Sequence, residues 1–294
     1  MSRPWGRVLT AMVTPFTEEG KVNFNAGAEL ASYLVKNGSD GLVVAGTTGE
    51  SPTLTKEEKL ELFKTVKEAV GSKVSVIAGT GSYSTEDSIY LSTLAEKVGV
   101  DGLLLVVPYY NKPTQEGMYR HFAAIAAKTS LPIMLYNIPS RTGKNMTPDT
   151  VLRLSEISNI IAIKESTGDF GQLTEFKSKL GDDFLIYSGD DALLLPMMAL
   201  GAYGVVSVVS HLVGKQIKEM IDAFIAGDNS KALEIHLKLS PLFKTMFITT
   251  NPIPIKTALA LQGHPVGGFR LPLCEASSEE VKIIKDILHK YELI

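Results

Sequence analysis

Lys164 closes an apolar run, Ile160-Ile161-Ala162-Ile163, and is the residue best placed for covalent chemistry. A protonated lysine is inert as a nucleophile. An apolar setting disfavours the charged form and frees the amine to attack a carbonyl. The plain alternative is a strand-end lysine that extends to water. Tyr136 ends an earlier apolar run, Ile133–Tyr136. Its phenol suits relaying a proton or hydrogen-bonding a developing alkoxide, against the alternative of a core tyrosine with its hydroxyl at a rim. Gly46-Thr47-Thr48-Gly49 offers two hydroxyls and main-chain N–H groups to a carboxylate. No Gly-Lys-Ser/Thr follows it, so it is not a Walker loop, and an ordinary tight turn is the competing reading. Arg141 lies between Pro139 and Gly143, and its planar fork is the best bidentate partner for a carboxylate. An amine, a phenol, hydroxyls and a guanidinium in neighbouring loops favour the chemical reading of Lys164, an amine attacking a carbonyl.

Other chemistries lack their residues. The five histidines, His121, His211, His236, His264 and His289, show no i, i+4 pair and no carboxylate cluster, which disfavours a metal-dependent aldolase or hydrolase. No Gly-x-Ser-x-Gly elbow supports a serine hydrolase. The later loops carry no glycine-rich phosphate cradle, so a phosphorylated substrate is disfavoured. Cys274, the single cysteine, lies in the helical tail, far in sequence from the strand ends, and reads as structural.

These residues need a scaffold, and the chain supplies one unit repeated eight times. Short apolar runs occur at Val8–Val13, Leu42–Ala45, Val74–Ala78, Leu103–Val107, Ile133–Tyr136, Ile160–Ile163, Phe184–Tyr187 and Val205–Val209. They are nearly continuous rather than alternating, as in parallel strands buried on both faces. Helical faces fall between them: Leu60, Phe63, Val66 and Val70; Leu91, Leu94, Ala95 and Val98; Ile217, Met220, Ile221, Phe224 and Ile225. Thr55 with Glu58 and Ser277 with Glu280 have capping-box spacing, and Thr147-Pro148 marks a helix start. Gly38, Gly99 and Gly201 each stand where a helix must end before a strand.

Eight such units predict an α/β (β/α)8 TIM barrel over 1–226, with a helical extension at 227–294 packed on it. A doubly wound open sheet is the runner-up, but its usual glycine-rich first turn is missing from Thr14-Pro15-Phe16-Thr17. Barrel active sites lie at the carboxyl ends of the strands. That rule places Lys164, Tyr136, Arg141 and the Thr47–Thr48 loop on one face.

Charge is 29 basic against 32 acidic side chains, so neither nucleic acid nor an anionic membrane is favoured as a partner. Met1–Gly6 has no signal-peptide core, and no apolar run approaches the roughly 20 residues of a membrane span. With one cysteine and no internal disulfide, the expected location is cytoplasmic.

The set Gly46–Glu50, Tyr136-Asn137-Ile138-Pro139 and Ile163-Lys164-Glu165 resembles the pyruvate-dependent class I aldolases, the N-acetylneuraminate lyase family, nearly end to end. Pro108–Gly117, Pro139–Gly143 and Asn251-Pro252-Ile253-Pro254-Ile255-Lys256 resemble the dihydrodipicolinate synthase branch of that family. The resemblance implies a lyase-type enzyme of lysine and diaminopimelate biosynthesis that condenses pyruvate with L-aspartate-4-semialdehyde. It implies that Lys164 forms the Schiff base and that Tyr136, Thr47 and Tyr110 relay protons, Tyr110 reaching in from a neighbouring subunit. Thr48 and the main chain at Val206 would hold pyruvate, and Arg141 the semialdehyde carboxylate. The family works without a metal or external cofactor, usually as a homotetramer built as a dimer of dimers. A sugar-keto-acid lyase is the rival within the family. A catalytically silent barrel is the rival outside it, and would be expected to have lost Lys164, Tyr136, Thr47 or Tyr110.

In feedback-inhibited relatives lysine binds a cleft at the tight-dimer interface. The matching positions are Ser51, Pro52, Lys56, Lys59, Tyr83, Asp87 and Tyr109. Lys56 and Lys59 add positive charge opposite a cationic ligand, so weak or absent inhibition by lysine is expected.

Overall fold

The computed structural model describes residues 5–294. Met1–Pro4, part of the segment read as lacking a signal-peptide core, lie outside the described residues. Eight strands form the barrel: β1 Val8–Ala11, β2 Gly41–Val44, β3 Ser75–Gly79, β4 Gly102–Val106, β5 Ile133–Asn137, β6 Ile160–Glu165, β7 Leu185–Ser188 and β8 Gly204–Ser207. Every neighbouring pair is parallel, and β8 pairs back to β1 through Val8↔Val205 and Leu9↔Val206. That closure excludes the open doubly wound sheet.

Twelve α-helices lie among the described residues. They are α1 Phe24–Lys36, α2 Lys56–Val70, α3 Thr85–Val98, α4 Gln115–Ala126, α5 Pro139–Thr142, α6 Pro148–Ser155, α7 Phe170–Lys179, α8 Leu194–Ala199, α9 Ser210–Ile225, α10 Asn229–Thr245, α11 Ile253–Leu261 and α12 Ser278–Lys290. Both capping boxes form, at Thr55–Glu58 and Ser277–Glu280. Thr147 starts α6 before Pro148, but its hydroxyl donates to Gln115 Oε1 instead of capping the helix. Gly38, Gly99 and Gly201 all adopt the left-handed conformation that ends a helix. On α2 the buried set is Leu62, Phe63, Val66 and Val70; Leu60 is only partly covered. On α9 Ile217, Met220 and Ile221 are buried while Ile225, the last residue of the helix, is half exposed.

The apolar core has two shells. Inside the barrel sit inward side chains such as Leu9, Val43, Ile77, Leu104, Met134, Ala162 and Val206. The larger shell lies between strands and helices. Continuous apolar runs follow directly, because both faces of every strand are covered.

One irregularity sets the active face. The β5–β6 register shifts by a residue between Ile133↔Ile160 and Met134↔Ala162. Ile161 and Ala162 both pack on the inner shell, where strict alternation would turn one outward. Beyond the bulge Tyr136 stands opposite Lys164 rather than Ile163, and Ile163 turns to the outer shell. The bulge thus aims an amine and a phenol inward from neighbouring strand ends.

Candidate active site

At the carboxyl end of the barrel Lys164 is buried, with Nζ 4.1 Å from the centre of the Tyr136 ring. Glycine makes the room it needs. A Cβ on Gly189, after β7, would fall 2.9 Å from Lys164 Cε and 1.9 Å from Ser166 Oγ. Glu165, next along β6, faces the other way. Its carboxylate accepts from Thr167 N at 2.7 Å, Asn137 Nδ2 at 3.0 Å and Gln172 Nε2 at 3.3 Å. Burial pushes that carboxyl up, and the hydrogen bonds pull it back. This polar knot fixes the ends of β5 and β6 and so the spacing of Tyr136 and Lys164.

A cavity of about 210 Å³ opens beside Tyr136, and Thr47, Tyr136 and Arg141 line it together, while Lys164, Thr48 and Val206 are not among its lining residues. Tyr109, Ser51 and Pro52 line its outer part. Arg141 is exposed and has no carboxylate partner among the described residues; Nη2 donates to Asn251 O at 3.4 Å. Thr48 is buried one residue behind Thr47, its Oγ1 accepting from Asn251 Nδ2 at 2.9 Å. The loop that carries both threonines runs through left-handed residues at Ala45 and Glu50. Its backbone comes so close to β3 that a Cβ on Gly79 would meet Ala45 O at 2.3 Å.

Val206 lies in β8 with its side chain in the inner shell. Just beyond it, buried Asp191 accepts from Val208 N at 3.0 Å, Val209 N at 3.1 Å and the Ser207 hydroxyl. Burial pushes the Asp191 carboxyl up to about 6 against those hydrogen bonds. The aspartate ties the β7 loop to the end of β8.

Within one chain the fold therefore gathers Lys164, Tyr136, Thr47, Thr48, Arg141 and Val206 at one end of the barrel. Tyr110 is the exception. It is 91% exposed, at φ +69°, where the others are packed at the barrel end or line the cavity. Cys274 corrects the sequence reading: it is exposed, in the non-helical segment before α12, and holds nothing together. Sequence reasoning also missed the support behind the threonine loop. Lys256, from α11, donates to Glu50 Oε1 at 2.8 Å, and Arg270 N donates to Glu50 Oε2 at 3.2 Å. Asn251 and Lys256 stood out only as a motif, with no signal of what they would touch.

The positions matching a lysine cleft also come together. Lys56 pairs with Asp87, and Tyr83 stacks edge-on to Tyr109 at 5.3 Å. Burial, with Lys56 nearby, pushes the Lys59 ammonium down to about 8.

Comparison with known proteins places this arrangement. Residues 4–291 match the Dihydrodipicolinate synthetase family. A 4-hydroxy-tetrahydrodipicolinate synthase of Moorella thermoacetica is 59% identical over 290 residues, covering 99% of each chain. One of Desulforamulus reducens is 57% identical over 291 residues, 99% of this chain and 98% of the other. The crystal structure of the enzyme from Cyanidioschyzon merolae, described with lysine bound, superposes with a TM-score of 0.98 at 47% identity over all of both chains.

Proposed function

The chain belongs to the dihydrodipicolinate synthetase family, and on that premise we propose that it acts as a 4-hydroxy-tetrahydrodipicolinate synthase with Lys164 as its Schiff-base lysine. The observation that carries the reading is the buried Lys164 with its Nζ against Tyr136, which in turn lines a cavity together with Thr47 and Arg141.

The chemistry runs as follows. The Lys164 amine adds to the keto carbon of pyruvate, and loss of water leaves an iminium. That iminium is an electron sink for the methyl carbon, which loses a proton to become an enamine. The enamine carbon attacks the aldehyde of L-aspartate-4-semialdehyde and a carbon–carbon bond forms. The amine of the semialdehyde then displaces Lys164 from the imine and closes the ring. Each proton movement needs a placed acid or base. Tyr136 and Thr47 fill that role from within the chain. Tyr110 joins them from a neighbouring subunit of a homotetramer, a dimer of dimers; its outward, exposed side chain supports that assignment. Thr48 and the main chain at Val206 hold pyruvate, and Arg141 takes the semialdehyde carboxylate. No helix among the described residues is long and apolar enough to cross a membrane; the cytoplasm is the proposed location.

Supplying pyruvate with either L-aspartate-4-semialdehyde or a sugar aldehyde, and following pyruvate loss, tests the function. Turnover is expected with the semialdehyde. Turnover confined to the sugar partner would overturn the reading. Arg141→Ala is expected to raise KM for the semialdehyde by about 10- to 100-fold, the loss of a charged bidentate contact. KM for pyruvate should change much less. Equal weakening of both substrates would remove Arg141 from its role.

Inhibition by lysine is expected to be weak or absent. The Asp87 carboxylate is already paired with Lys56. Lys59, with an ammonium pKa of about 8, remains mostly protonated at pH 7. Like charges at close range cost on the order of 1 kcal/mol or more per contact. A steady-state assay with about 1 mM lysine, enough to half-fill a site of that affinity, should show little loss of rate. Strong inhibition would show that the cleft works despite Lys56 and Lys59, and the charge argument would be wrong.

A further inference from the structure

The chain between α10 and α11 passes over the carboxyl end of the barrel, and Asn251 is its point of contact. Asn251 is buried there. Its side-chain amide donates to Thr48 Oγ1 at 2.9 Å. Its main-chain carbonyl accepts from Arg141 Nη2 at 3.4 Å. One residue of the extension thus touches both side chains to which the proposed function gives a substrate carboxylate.

The direction of the first bond decides its effect. A threonine hydroxyl has one proton and two acceptor lone pairs. An amide N–H on the oxygen occupies an acceptor direction and leaves the single proton uncommitted. A carboxylate only accepts, so that proton is what it needs. The amide also polarises the hydroxyl it donates to and strengthens the bond the hydroxyl makes onward. Without the amide nothing holds the Thr48 hydroxyl in that orientation. The second bond engages one of the five N–H donors of Arg141 and leaves the others for a ligand.

We propose that Asn251 is a positioning residue, whose amide aims the Thr48 proton at the pyruvate carboxylate while its carbonyl fixes where Arg141 stands relative to Thr48. This rests on the assignment of Thr48 to pyruvate. The contact spans 203 residues of sequence, so the extension takes part in substrate binding as well as covering the barrel. Asn251 acts through Thr48 and touches no reacting atom.

The test is a double-mutant cycle between Asn251→Ala and Thr48→Val, with Asn251→Asp as a second probe of hydrogen-bond direction. Each protein is checked by circular dichroism and assayed with pyruvate varied at saturating semialdehyde. Thr48→Val alone should raise KM for pyruvate; no change would remove Thr48 from pyruvate binding and the proposal with it. Asn251→Ala should raise that KM by about 3- to 10-fold, the net worth of one hydrogen bond, with kcat little altered. In the Thr48→Val background it should add almost nothing. Asn251→Asp is nearly isosteric but presents only acceptors to Thr48, so it should raise KM more than Asn251→Ala does. An equal effect of Asn251→Ala in both backgrounds overturns the proposal while leaving the Thr48 assignment intact. So does a drop confined to kcat. Loss of the fold in both Asn251 variants would make the residue structural and overturn it as well.

Discussion

Lys164→Ala is expected to lower kcat/KM by at least about 10⁴-fold, the scale of losing a covalent nucleophile. Without the amine the enzyme has no electron sink for the pyruvate methyl carbon, and nothing nearby replaces it. Lys164 is the amine that reaches the Tyr136 ring, at 4.1 Å, and the bulge in β6 brings it opposite Tyr136. Lys164→Arg should be as inactive, because a guanidinium stays protonated and forms no imine. Arginine keeps charge and much of the length, so its failure separates nucleophilic from electrostatic roles. Circular dichroism of both variants should match the parent. Either variant retaining a tenth of the activity would rule out an obligatory Schiff base at Lys164.

Lys256→Met is expected to destabilise the fold by about 3–5 kcal/mol, the cost of leaving one member of a buried ion pair alone. For a chain of this size that corresponds to a fall in Tm of roughly 5–15 °C. Both side chains of the Glu50–Lys256 pair are inaccessible, at 1% and 0% exposure, so water cannot replace the missing partner. The Lys256 ammonium also sits 4.1 Å from the Phe16 ring and 5.1 Å from the Phe269 ring. Burial pushes it down to about 8, while Glu50 pulls it the other way. Glu50→Leu combined with Lys256→Met removes both charges and should recover much of the loss. Thermal melts of the three variants decide the matter. A single variant with unchanged Tm would show that the pair does not clamp the threonine loop.

Much of the fold was legible because both faces of each strand are covered. Val8–Val13, Leu103–Val107 and the other apolar runs need no knowledge of the partner strand to be recognised. The end of an apolar run also marked Lys164 and Tyr136, since a polar residue there must sit at the rim. Helix faces were read less well where the 3.6-residue period meets a rim: Leu60 was favoured over Leu62 on α2, and Ile225 was placed inside. The β6 bulge left no trace, because Ile160-Ile161-Ala162-Ile163 is apolar in every register. Contacts across 203 and 206 residues, Asn251 to Thr48 and Lys256 to Glu50, were out of reach as well. Local pattern reports what a residue is and which face it lies on, and not which distant side chain it meets. Tyr110 illustrates the converse: its role came from resemblance, and one chain alone leaves it pointing to solvent.

The most direct test is reductive trapping. The protein is incubated with pyruvate, treated with sodium borohydride, digested and mapped by mass spectrometry. One reduced pyruvyl adduct per chain is expected, on the peptide holding Lys164, and Lys164→Ala should carry none. An adduct on Lys112, Lys256 or any other lysine, or full turnover with no trapped adduct, would contradict the account.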